Sequence, residues 1–80
     1  MTNTMSTDQR LERDVEAAFQ IALGFLRAKG QVADETRTSE FIAQSILRRL
    51  RNGERHKILL ANHAIGDYEA RFLVEHIADD

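Results

Sequence analysis

The chain has no cysteine, no proline and no tryptophan. Without cysteine there are no disulfides and no thiolate metal sites, two of the staples that domains of 80 residues often rely on. A cysteine-free chain suits a reducing compartment, and we expect a cytoplasmic protein. Without proline, no helix interior loses an N–H donor or meets a pyrrolidine ring. Glycine occurs only at positions 24, 30, 53 and 66, and the aromatics are four phenylalanines and one tyrosine. The longest apolar run, Ile58 to Ala61, is far short of the roughly 20 residues of a membrane span. Residues 1–7 have neither a basic region nor an apolar core, so they do not read as a secretory signal. The net charge of −2 is too small to mark a polyanion-binding protein.

What remains is helical periodicity. From Asp8 to Lys29 the apolar residues Leu11, Val15, Ala18, Phe19, Ala22 and Leu26 step by three and four, one face of a helix roughly 33 Å long. Phe19 is expected at the centre of the core. A second apolar set, Ala17, Ile21, Phe25 and Ala28, makes the C-terminal half apolar on two sides. Ser6 and Gln9 have capping-box spacing, and Gly30 is placed as the residue that ends the helix with φ > 0. Residues 31–38 form a loop in which Val32 turns to the core. A second helix is predicted from near Thr38 to Asn52, with the stripe Ile42, Ala43, Ile46, Leu47, Leu50 and with Gln44, Ser45, Arg48 and Arg51 opposite. Asn52-Gly53 is a stop signal. A third helix is predicted over 54–65, broken at Gly66. Asp67 would then cap a fourth helix from Tyr68 to Ala78, with the core stripe Ala70, Leu73, Val74 and Ile77. The expected fold is all-α: a small bundle of about four helices with a long N-terminal helix, one domain over 8–80 behind a disordered lead over 1–7.

Candidate chemistry is sparse. Arg48, Arg49, Arg51, Arg55 and Lys57 make a basic patch with one glutamate, which could meet phosphates. The same arginines also complement the negative end of a helix dipole. A DNA-reading helix–turn–helix fits poorly, because Ile58, Leu59, Leu60 and Ala61 offer nothing to base edges. His56 and His63 are about 10 Å apart along a helix, too far to share an ion. No nucleophile–base pair or phosphate loop is present, so neither a cofactor nor a catalytic role is expected. Tyr68, Phe72 and Phe41 fall off the predicted core stripes, and exposed aromatics often mark contact surfaces. The sequence therefore reads first as a helical protein-interaction module (adaptor, regulator or assembly subunit) that pairs with itself as a homodimer, with another protein as a further candidate partner. Its candidate interface is Ala17, Ile21, Gly24, Phe25, Ala28, Phe41, Tyr68 and Phe72. A nucleic-acid-binding regulator using residues 48–57 ranks second and an enzyme third.

Overall fold

The computed structural model describes residues 7–73. Three α-helices follow one another: α1 (Thr7–Ala28), α2 (Glu35–Arg51) and α3 (Lys57–Tyr68), and α3 passes directly into a π-helical turn, Glu69–Leu73. Val15 and Phe19 of α1 face Ala43, Ile46 and Leu47 of α2, and Leu11 faces Leu50, so α2 runs antiparallel to α1. Lys57 lies beside Ala17 and the Tyr68 hydroxyl reaches Gln31, so α3 runs back alongside α1.

The first two helices end as glycine dictates. The N–H groups of Gly30 and Gln31 bond to the carbonyls of Arg27 and Leu26, and those of Gly53 and Glu54 to Leu50 and Arg49. Both are Schellman closures, and both glycines have positive φ, 71° and 99°. The core is Ala18, Ala22 and Leu26 from α1, Ile42 and Ile46 from α2, and Leu60, Ala61, Ala64 and Tyr68 from α3, with Val32 packed against it. Four of these nine residues are alanines, which lets helices approach toward the short end of the usual 8–10 Å.

Several expectations are corrected. Among the described residues there are three α-helices, not about four, because Gly66 does not break α3: the Glu69 N–H bonds to the carbonyls of Gly66 and Ile65 inside a continuing helix. α3 starts at Lys57 rather than residue 54, with the His56 Nδ1 capping the Ile58 N–H at 3.2 Å. α2 starts at Glu35 rather than near Thr38, because the Asp34 side chain caps the Arg37 N–H at 3.1 Å. Ser45 is buried, not opposite the core, since α3 covers that side of α2. Phe19 is only partly buried and packs against the core from its margin. The predicted fourth-helix stripe is reversed where it can be checked: Ala70 is exposed and Tyr68 buried, because an unbroken α3 carries its own stripe through 60, 64, 68 and 72. Val74, Ile77 and the capping residue Ser6 lie outside the described residues, as do residues 1–6 of the expected lead, and Thr7 is already helical.

Leu26 and Leu60 are fully buried. Leu26→Ala and Leu60→Ala should each cost about 2–5 kcal/mol in urea denaturation, and Phe19→Ala less than either. The opposite order would move the centre of the core to Phe19.

Candidate functional site

Along α1, residues 17, 21, 24 and 28 are spaced four, three and four apart, the spacing of a helix–helix seam. Ile21 is 39% exposed and Phe25, beside the seam, 42%, and Gly24 and Ala28 are exposed, with Ala17 half-buried. A Cβ built on Gly24 would meet nothing within 4 Å. Glycine inside a helix costs about 1 kcal/mol relative to alanine, and nothing among the described residues requires that cost. At the C-terminal end of the seam the Lys29 Nζ lies 5.3 Å from the centre of the Phe25 ring, a cation–π contact. Nearby, the Arg27 guanidinium donates twice to Glu35, from Nε at 2.8 Å and Nη2 at 2.7 Å. That hydrogen bonding, above all, holds the Glu35 carboxyl below its ordinary range, and the pair clasps the end of α1 to the start of α2.

The other three candidate interface residues are placed elsewhere. Tyr68 is 5% exposed, and Phe41 and Phe72 are half-buried against the core. Their ring centres lie 4.6–5.8 Å apart, with Phe41 edge-on to both others. The aromatics thus satisfy one another within one chain, and the expectation that they lie off the core is corrected. The Tyr68 hydroxyl donates to the Gln31 carbonyl at 2.8 Å, so its 3.2 Å contact with Thr38 has the Thr38 hydroxyl as donor.

The basic segment is divided. Arg49 donates to Asp67 at 3.0 and 3.3 Å, and Arg48 is ion-paired with it at 3.6 Å. Arg55 donates to the Leu50 carbonyl at 3.0 Å. Arg51 and Lys57 are exposed. Asp67 also accepts from the Ser45 hydroxyl at 2.6 Å. Partial burial pushes the Asp67 carboxyl up, but the Ser45 bond and the charges of Arg49 and Arg48 outweigh it, and the net result is a lowered pKa. Sequence periodicity gave no warning of this cluster, because its members look like surface residues until α3 crosses α2.

Sequence reasoning also missed an apolar cleft of about 320 Å³ between α1 and α2, lined by Val15, Phe19, Ala43, Ile46 and Leu47. These residues belong to both predicted stripes. Among the described residues no three His, Asp or Glu side chains are grouped to hold a metal, and no helix is long and apolar enough to cross a membrane. His76 lies outside the described residues. Compared with known protein families, curated proteins and solved structures, the chain matches none of them.

The lowered pKa of Asp67 has a definite sign in stability. Its contribution is complete above the unfolded-state value of about 3.9 and is lost as pH falls through the lower folded-state value. The parent should therefore lose stability on acidification below about pH 4. Asp67→Asn should be less stable at neutral pH and should lack that part of the acid loss. Urea midpoints measured at neutral pH and down through the acid range check this; equal acid losses in both proteins would remove Asp67 as the cause.

Proposed function

We propose that this chain is a small helical protein-interaction module that self-associates in the cytoplasm through the outer face of α1, acting as an adaptor, regulator or assembly subunit. The observation that carries the reading is Gly24. It lies mid-helix with an ordinary conformation, and nothing among the described residues meets its Cβ position; Gly66 shares that openness, but only Gly24 stands between exposed Ile21 and Phe25 on one helix. Close approach of a second helix is a physical reason for glycine there, and Ile21 and Phe25 supply the apolar contact. The α1–α2 cleft is a second apolar surface, but Val15, Phe19 and Ile46 in its lining belong to or pack against the core.

A nucleic-acid role for residues 48–57 ranks below this reading. Arg48 and Arg49 are engaged with Asp67 and Arg55 with a backbone carbonyl. The α3 residues beyond the turn, Ile58 and Leu59, are exposed and apolar, with no donors for base edges.

Sedimentation across low to high micromolar concentrations tests the proposal. The parent should dimerise, and Ile21→Glu should remain monomeric at every concentration. Association through an apolar seam should survive high salt, whereas phosphate binding would fall steeply with it. Gly24→Ala should separate two effects. At concentrations where the chain is monomeric it should raise stability by up to about 1 kcal/mol, since the added methyl meets nothing. At higher concentrations it should weaken the dimer. A parent that stays monomeric at high micromolar concentration removes the reading.

A further inference from the structure

We infer that the partner across the outer face of α1 is a second copy of this chain laid antiparallel, with Ile21 of each helix seated over Gly24 of the other. The inference rests on the self-association proposed above and adds its geometry. Charge along α1 selects the orientation. From Asp8 to Ala18 the helix carries four carboxylates against two arginines; from Phe19 to Lys29 it carries Arg27, already paired with Glu35 of α2, and Lys29, with no carboxylate of its own. At the acidic end the surface around Ala17 is lined by Glu12, Asp14 and Glu16 against Arg13 and Lys57. A parallel pair would set like halves side by side, whereas an antiparallel pair sets each acidic half against a basic one. The helix dipoles favour the same choice.

Side-chain size selects the register. The seam reads small at Ala17, large at Ile21, absent at Gly24 and small at Ala28. In a parallel pair in register, Ile21 would meet Ile21 and two glycines would face each other across a gap. With the two-fold axis level with the peptide between Ala22 and Leu23, Ile21 lies opposite Gly24 and Ala17 opposite Ala28, so each large residue fills the place of a missing one. Asp14, one step before Ala17 on the same seam, then lies level with Gln31 of the second copy, two positions beyond Lys29 and within reach of the long lysine side chain. The contact is isologous: each patch meets its own copy, and the assembly closes at two chains.

Because the chain has no cysteine, single-cysteine variants report the geometry without background. Ala17→Cys and Ala28→Cys should give little disulfide when each is oxidised alone, and a dominant mixed disulfide when combined, since opposed Cα atoms must lie within about 7 Å to be bridged. Homodisulfides from each variant alone would show a parallel pair and overturn the inference. No crosslink in any combination, from a parent that sediments as a dimer, would overturn it by placing the interface elsewhere. A monomeric parent would instead remove the underlying reading. As a second measurement, Lys29→Glu should weaken the dimer several-fold and Asp14→Lys should restore it, with helicity unchanged by circular dichroism in both. Failure of the rescue counts against the antiparallel register.

Discussion

The anchoring of α3 to α2 around Asp67 and Tyr68 is the constraint on which the rest of the fold depends. Asp67 binds Ser45 and Arg49, and the adjacent Tyr68 reaches the Thr38–Gln31 side of the molecule. Both residues follow Gly66 directly, at the point where the local sequence favours a break. Holding them in helical register offsets the roughly 1 kcal/mol that glycine costs there. Continuity of α3 then carries Phe72 to a place one turn beyond Tyr68, against Phe41. The Tyr68–Gln31 bond fastens the α1–α2 loop to the same helix, while the Arg27–Glu35 pair closes that loop from outside.

This arrangement gives four of nine core positions to alanine and leaves several larger apolar residues outside. Ala18, Ala22, Ala61 and Ala64 are fully buried, while Ile21, Phe25, Leu47, Ile58 and Leu59 are each about two-fifths exposed. A domain this short has a high ratio of surface to volume, and the three helices of the described residues leave one apolar face of the longest uncovered. α2 and α3 occupy one side of α1, and the face with Ile21, Gly24 and Phe25 is the remainder. The Arg27–Glu35 pair and the Asp67 cluster each tie one helix to another, and Arg55 closes the turn at the Leu50 carbonyl.

Some of this was legible in the residues. The span of α1 was predicted within one residue at each end, because a long run of three-and-four spacing has no competing interpretation. Gly30 and Gly53 were correctly read as stops, since only a residue without Cβ adopts their φ cheaply. The apolar outer face of α1 was also visible, as a second periodic set on the same helix. Gly66 has the same side chain as those stops and the opposite outcome, and nothing local distinguishes it. The face of Tyr68 and Phe72 was misassigned for that one reason: a break at Gly66 resets the helical phase, and continuity preserves it.

The sequence alone therefore determined what depends on neighbours a few residues apart: an all-helical chain, a long first helix, two glycine-closed turns, and apolar residues on two sides of α1. Tertiary structure decided what depends on residues about twenty to forty apart. Those decisions are the passage of α3 through Gly66, the burial of Ser45, the division of the arginines and the closure of the aromatic cluster. Each rests on a contact between α3 and an earlier segment, with Asp67 meeting Ser45 and Arg49, and Tyr68 meeting Gln31, Thr38 and Phe41. Periodicity along one helix carries no information about which helix will come to cover it.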